Sequence, residues 1–264
     1  MNPYIELETR FRRIGALEEA EGILHWDMSV IMPKGGAESR AEQLAAMKLT
    51  IHDLLTDSTL ATLLDAAEEV PPADAWQVAN MREMRRLWRH ANAVEGDLVE
   101  ALSKASSRCG MIWRDARPKD DFAAVSESLS EVLDLVRQKA QTKASVLGVT
   151  PYEALLDQFE PETRMADIDY LFDDLAAFLP DFLDNALAHQ TAVGDPLQPQ
   201  GPFNLEAQRT LATNLMEHVG FEFDHGRLDI SLHPFCGGVP DDVRITTRYE
   251  EDDFAQSLMG VLHE

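Results

Sequence analysis

Apolar and polar side chains alternate in one part of this chain, close to its C-terminal end. In the first run, Leu228, Ile230 and Leu232 lie on one side, and a second alternating run follows at Val243, Ile245, Thr247 and Tyr249. A period of two is typical of a half-buried β-strand. Gly237, Gly238 and Pro240 lie between the runs, and these residue types favour a turn. The pattern therefore predicts a β-hairpin or small sheet within residues 221–250.

The residues before this β element follow a helical pattern, because their apolar side chains recur every three or four positions. Helices are predicted at residues 3–26, 37–55, 58–69, 75–91, 97–114, 119–147, 166–190 and 205–219. Pro180 predicts a kink in the seventh helix, and residues 150–161 are predicted as a loop-rich connection. The fold class predicted by these patterns is mainly α with a small β element near its end.

A single domain, 1–264, is the predicted organisation. It consists of a helical scaffold (1–220), the β element (221–250) and the start of a last helix (252–264). Gly and Pro are densest at residues 194–203. That stretch has the length of an ordinary connection, so we do not expect a domain boundary there.

The charge of the chain excludes two classes of partner. Its 47 acidic and 23 basic residues give a formal net charge of −24. Nucleic acid and anionic membrane surfaces both require a basic face, so neither is expected as a partner. Cys109 and Cys236 are too few for a disulfide framework and favour a reducing, cytoplasmic location, with Cys236 expected to be buried. We expect no signal peptide, and no apolar run reaches the roughly 20 residues needed to span a bilayer.

The last helix ends on a dipeptide with possible metal chemistry. Its apolar residues are Phe254, Leu258, Val261 and Leu262, and His263 and Glu264 follow them. In a His-Glu-x-x-His helix, two histidines four residues apart bind one Zn²⁺, and the glutamate acts as general base on water. The helix stops without a capping residue and on an acidic side chain, which its dipole disfavours. We therefore expect the chain to be truncated within this motif.

Three short motifs in order resemble those of the carboxypeptidase Taq (M32) family of metallocarboxypeptidases. They are His233-Pro234-Phe235 (HPF), the DxRxT segment from Asp242 to Thr246, and His263-Glu264 as the start of HExxH. Further similarities are Trp26-Asp27, Met32-Pro33, Arg40, the segment from Trp113 to Phe122, and the segment from Leu155 to Pro161. The resemblance covers nearly the whole chain. The second histidine, a later glutamate ligand and the downstream motifs of the family would lie beyond Glu264.

The resemblance implies a zincin-like scaffold of long helices, with the small sheet preceding the active-site helix. It also implies one Zn²⁺ per intact site, with Co²⁺ as a possible substitute. His263 is then the predicted metal ligand and Glu264 the predicted catalytic base. The family further implies a homodimer and peptide substrates with a free C-terminal carboxylate. This chain alone is expected to be inactive, because one histidine cannot hold zinc tightly without partner ligands.

Three residues are predicted to bind substrate. Arg244 is the candidate clamp for the substrate carboxylate, since a guanidinium can bind it in a bidentate manner. An arginine beyond Glu264 is its rival for that role. Asp242 can orient a neighbouring side chain, and His233 can donate to the substrate carbonyl or the oxyanion.

Other interpretations remain open at this point. Within enzymes, the chain could belong to a related zinc endopeptidase or oligopeptidase. Outside enzymes, it could be a non-catalytic, acidic helical interaction module in which His263-Glu264 is accidental. Arg244 could equally be a solvated arginine on a strand, and Trp26-Asp27 is expected to serve packing.

Overall fold

Long helices dominate the computed structural model, which describes residues 2–194, 197 and 199–264. The helices are α1 (Pro3–Val30), α2 (Ala37–Thr56), α3 (Ser58–Glu68), α4 (Ala75–Asn92), α5 (Gly96–Ala116), α6 (Phe122–Leu147), α7 (Pro151–Leu156), α8 (Met165–Val193), α9 (Leu205–His218) and α10 (Phe254–His263). The strands are β1 (Gly226–Ile230), β2 (Cys236–Val239) and β3 (Asp242–Thr247). Short 3₁₀ turns lie before α2 and after α5. The predicted mainly α fold with one small sheet is confirmed.

Local capping chemistry sets where several helices begin. The Asn2 side chain accepts a hydrogen bond from the Tyr4 backbone nitrogen at 2.9 Å, and Pro3 starts α1. Asp57, Asp74 and Asp121 cap α3, α4 and α6 in the same way. Side-chain oxygens at these positions satisfy backbone N–H groups that have no partner within the helix.

Two details of the helical prediction are corrected. The connection at residues 150–161 contains α7, which begins with a capping box formed by Thr150 and Glu153. Its six residues are too few to show a helical period. The α1 helix also continues to Val30, beyond the predicted end near residue 26. In the Gly/Pro-rich connection, residues 195, 196 and 198 lie outside the described residues.

The first helices of the chain share an apolar core. One cluster contains Leu7, Leu60, Leu64, Ala67 and Met84. A second cluster contains Ile14, Ile51 and Leu55. Ridges of such side chains pack neighbouring helices together and remove their apolar area from water. The core therefore ties α1 through α4 into one bundle.

The α8 helix differs from the bundle helices, since none of its residues is buried. It continues as one helix through Pro180. Its exposed apolar side chains are Met165, Tyr170, Leu171, Phe172, Leu175, Phe178, Leu179, Phe182, Leu183, Leu187 and Val193. Within the described part of the chain, this helix has an apolar face that no other element covers.

The sheet has the strand order β1-β3-β2. The two alternating runs do not form a hairpin with each other, because β1 pairs with β3 in parallel. The hairpin joins β2 and β3, which run antiparallel. Gly237 and Gly238, predicted as turn residues, lie within β2. Gly238 has φ +87°, and a Cβ there would collide with the Asp242 carbonyl oxygen, so this position requires glycine.

The last helix packs on one face of this sheet. Val261 of α10 and Ile245 of β3 belong to a cluster with Ala212 and Met216 of α9. The Asp253 side chain accepts a hydrogen bond from the Gln256 backbone nitrogen at 3.2 Å and caps α10. No helix in the described residues is both long and apolar enough to cross a membrane.

Candidate metallopeptidase site

One buried hydroxyl fixes the backbone that carries the HPF residues. Thr246 is fully buried. Its Oγ1 accepts a hydrogen bond from the Phe235 backbone nitrogen at 2.9 Å and lies 3.1 Å from the Phe235 carbonyl oxygen. Ser231 Oγ lies 2.8 Å from the same hydroxyl and donates to the His233 carbonyl oxygen at 2.7 Å. Thr246 therefore links β3 to the HPF segment.

The HPF segment in turn lies against the last helix. A Cβ placed at Gly260 would be 3.9 Å from the Pro234 ring and 3.5 Å from Thr247 Oγ1. Thr247 Oγ1 also donates to the Ser257 carbonyl oxygen at 3.1 Å. Because α10 approaches both elements closely at Gly260, its end is set relative to the HPF residues.

His263 and Glu264 lie at that end of α10. The backbone nitrogen of Glu264 donates to the Gly260 carbonyl oxygen at 3.1 Å, so the helical path extends to the last residue. The His263 side chain is exposed. Burial and the Glu264 carboxylate together raise the pKa of the Cys236 thiol, which places that carboxylate near β2. Cys236 is exposed, so the expectation that it is buried is wrong.

Asp242 and Arg244 form an ion pair on β3 with two hydrogen bonds. Arg244 Nε lies 2.9 Å from one carboxylate oxygen of Asp242, and Nη2 lies 2.5 Å from the other. These hydrogen bonds lower the pKa of the Asp242 carboxyl group. The Arg244 guanidinium also lies 4.3 Å from the centre of the Trp26 ring, within the range of a cation–π contact. Trp26 is 2% exposed, so the pair fastens β3 to the end of α1.

The alternation of β3 separates this pair from the last helix. Asp242, Arg244 and Thr246 are two residues apart and therefore share one face, while Ile245 points to the other. Ile245 packs with Val261 of α10. The structure thus places α10, which ends in His263 and Glu264, against the HPF segment at Gly260, whereas Asp242 and Arg244 lie on the face of β3 opposite Ile245. The side chain of His233 is exposed at the start of the HPF segment.

Residues 2–194, 197 and 199–264 contain no group of three or more His, Cys, Asp or Glu side chains that could hold a metal ion. His263 supplies one imidazole, which is a donor that suits Zn²⁺. The side chains present therefore fit one part of a metal site.

The family assignment rests on the match between this sequence and a family model. The model for the carboxypeptidase Taq (M32) metallopeptidases matches residues 6–264. The chain belongs to the M32 family. Membership of a metallopeptidase family implies a divalent metal ion in the whole enzyme, whose identity the match does not give.

Relatives and solved structures agree with this assignment. Thermostable carboxypeptidase 1 of Thermus thermophilus is 34% identical over 266 residues, covering 96% of this chain and 52% of that protein. The structure of metallocarboxypeptidase 1 of Trypanosoma cruzi has 36% identity and a TM-score of 0.84, covering 99% of this chain and 53% of its own. A Pyrococcus furiosus carboxypeptidase structure has 27% identity and a TM-score of 0.82. This M32 chain therefore spans about half the length of the relatives it matches.

Sequence reasoning missed one polar cluster in the helical bundle. Lys143 of α6 is 4% exposed, and its ammonium group lies 3.0 Å from His90 Nδ1. The other ring nitrogen of His90 lies 2.6 Å from Asp157. The available signal was a lysine on the same helix face as the apolar residues Val136 and Ala140.

Proposed function

We propose that this chain supplies the N-terminal half of a zinc-dependent carboxypeptidase that releases single amino acids from peptide C-termini. The observation that carries this proposal is the placement of His263-Glu264 at the end of α10, beside the HPF segment that Thr246 holds. The M32 family assignment supports the reaction class. Peptides with a free C-terminal carboxylate are the proposed substrates.

Each residue of the motif receives a separate task. The His263 imidazole is one proposed ligand of the metal, and Glu264 is the proposed base that takes a proton from the attacking water. A bound Zn²⁺, or Co²⁺ in its place, would supply Lewis-acid activation of water and of the substrate carbonyl. The exposed His233 imidazole is proposed to donate a hydrogen bond to the substrate carbonyl oxygen, which carries negative charge in the transition state.

Arg244 is the proposed clamp for the substrate carboxylate, with Asp242 orienting it. One edge of its guanidinium, Nε and Nη2, is already engaged by Asp242, so a substrate would meet Nη1. Its position on the face of β3 away from α10 favours a second role, which is to hold the sheet against Trp26. Arg244→Gln distinguishes the two roles. If Arg244 binds the substrate carboxylate, the substitution should raise the KM of the whole enzyme. If Arg244 only holds the sheet against Trp26, the substitution should lower the free energy of unfolding and leave KM unchanged.

Assembly and location are part of the same proposal. The family implies a homodimer for the whole enzyme. Cys109 and Cys236 are both free thiols, which supports the reducing environment of the cytoplasm.

The proposal is tested by joining residues 1–264 to the part of the Thermus thermophilus relative that this chain does not span. We expect the joined protein to release single C-terminal amino acids from a free peptide, and residues 1–264 alone to release none. Mass spectrometry of the products measures both. Removing the metal with a chelator should abolish release, and adding Zn²⁺ should restore it.

Two controls define what would contradict the proposal. Glu264→Gln in the joined protein should abolish release while leaving its circular dichroism unchanged. A substrate with an amidated C-terminus should resist cleavage; equal cleavage of free and amidated peptides would identify an endopeptidase instead. Activity of residues 1–264 alone at the rate of the joined protein would refute the need for further ligands.

A further inference from the structure

A cavity lies among the helices of the bundle, and none of the proposed active-site residues lines it. Its volume is about 530 Å³, within the roughly 300–1,000 Å³ range of small-molecule sites. Apolar side chains from four helices form much of its wall: Ile51 of α2, Leu87 of α4, Leu98, Val99 and Leu102 of α5, and Val136 of α6. Such a wall suits a ligand with an aliphatic or aromatic body.

Two ammonium groups of α6 also line this cavity. Lys143 Nζ has two neutral partners, His90 Nδ1 at 3.0 Å and Gln158 Oε1 at 3.2 Å. Burial, with Lys139 and Arg86 nearby, lowers the pKa of Lys143 to about 7, although the Asp157 carboxylate acts in the opposite direction. Burial and Lys48 lower the pKa of Lys139. In the described part of the chain, neither lysine has a carboxylate within ion-pair distance.

Glu18 and Glu21 are the acidic side chains that line the cavity. The Glu21 carboxylate lies 3.4 Å from Lys48 Nζ and 3.2 Å from His25 Nε2. Burial and the neighbouring Glu21 carboxylate raise the pKa of Glu18. Arg86 is paired with Glu83 and donates to the Asp157 carbonyl oxygen at 2.8 Å. Lys139 and Lys143 are thus the lining cations that form no direct ion pair among the described residues, and Asp157 acts on Lys143 from a longer distance.

One serine contributes to the wall of the cavity. Ser103 of α5 lines the cavity and is 3% exposed. Its Oγ has no hydrogen-bond partner among the residues that the structure describes. This oxygen is itself shielded from solvent, so the case for a ligand depends on the two lysines and the apolar wall.

We propose that this cavity binds a small organic carboxylate with an apolar body, whose carboxylate is received by Lys139 and Lys143. An anion between the two ammonium groups relieves their mutual repulsion, and the apolar body contacts Leu98, Leu102 and Val136. A free amino acid fits less well, because its own ammonium group would approach two lysines. This site goes beyond the proposed peptidase function and does not depend on it.

The test is a titration of the 264-residue chain at about pH 6, which lies below the pKa of about 7 of Lys143. The probes are 4-phenylbutyrate and its neutral amide, 4-phenylbutanamide. Calorimetry gives the affinities, and methyl NMR of Val99, Leu102 and Val136 gives the location, with Leu215 of α9 as a distant reference. We expect 4-phenylbutyrate to shift the cavity methyls and to bind at least about tenfold more tightly than the amide.

Two substitutions decide the result. Lys139→Gln should weaken 4-phenylbutyrate about tenfold and leave the amide unchanged. Lys119→Gln, at an exposed position outside the cavity, should change neither. Since Lys139 is less buried than Lys143, its variant is the one expected to fold without difficulty, as circular dichroism would verify. Equal binding of the two probes, shifts only outside the cavity, no binding at millimolar concentrations, or unchanged affinity in Lys139→Gln would each overturn the proposal.

Discussion

The α3 and α8 helices are both rich in leucine and alanine, yet they have opposite surroundings. Leu60 and Leu64 of α3 are fully buried against α1 and α4. In α8, Leu171 is 58% exposed and Phe182 is 55% exposed. Apolar spacing therefore predicts that a helix has an apolar face, while the partner of that face depends on the rest of the fold. An uncovered apolar face of this length is typical of an interface.

The largest expected effect tests whether the buried leucines of α3 contribute more to the stability of the fold than the exposed leucines of α8. Leu60→Ala should lower the free energy of unfolding by about 3 kcal/mol, because it removes buried methyl groups and leaves a cavity. The matched change Leu171→Ala on α8 should alter it by less than about 0.5 kcal/mol. Urea denaturation followed by circular dichroism measures both. Similar losses for the two variants would show that α8 packs against the bundle in solution.

The sheet provides the second test, since its stability depends on one polar group as well as on apolar packing. Thr246→Val keeps the shape but removes the hydroxyl that meets the Phe235 backbone, which should cost about 2–3 kcal/mol. Thr50→Val is the matched control, because the Thr50 hydroxyl donates to a helix carbonyl at an exposed position. A cost for Thr246→Val no larger than that of the control would contradict the role assigned to this hydroxyl.

A third test separates charge from packing inside the bundle. The Lys143 pKa of about 7 lies below the 10.5 of an ordinary lysine. Between these values the unfolded chain holds a proton that the folded chain has released, so stability rises with pH across this window. Below about pH 7 the full cost of burying the ammonium remains.

Replacing Lys143 by methionine should remove this pH dependence. The change in the free energy of unfolding caused by Lys143→Met should be about 2 kcal/mol more stabilising at about pH 6 than at about pH 9. Unfolding free energies at the two pH values give the difference. Lys119→Met, at an exposed position, serves as the reference and should show no such change. A difference of zero for Lys143→Met would mean that the ammonium is not buried in solution.

The smallest expected effect concerns the apolar face of α8 directly. Phe178 and Phe182 stack with ring centres 5.2 Å apart, which is a local contact within one helix. Phe182→Ser should change the unfolding free energy by less than about 0.5 kcal/mol and should reduce binding of a hydrophobic dye. Unchanged dye binding would show that α8 is covered, through self-association or by another segment.

The sequence predicted the helices well because their signals are local. Asp57 and Asp121 cap helices within three residues of themselves, and Gly148 ends α6 with φ +72°. The pairing of the strands was not local. Alternation identified β1 and β3, but nothing in it distinguishes a parallel pair from a hairpin, and the short β2 resembled a turn.

In the candidate site, too, the local features could be predicted from the sequence and the non-local ones could not. The short motifs identified His263, Glu264 and the HPF segment, whereas the face on which each side chain lies depends on strand register. That register places Arg244 against Trp26 and away from α10. The Lys143 cluster was missed because its three side chains come from α4, α6 and the end of α7, far apart in the chain.

The lysine-lined cavity belongs to a chain whose formal net charge is −24. An anion that approaches it must first cross a repulsive field before it reaches the attractive groups inside. Salt screens the outer field over about 10 Å at 0.1 M and acts less on buried charges. The rate at which a carboxylate enters the cavity should therefore increase with ionic strength. This is the opposite of what is expected from its final interaction with the lysines, which is an attraction between opposite charges.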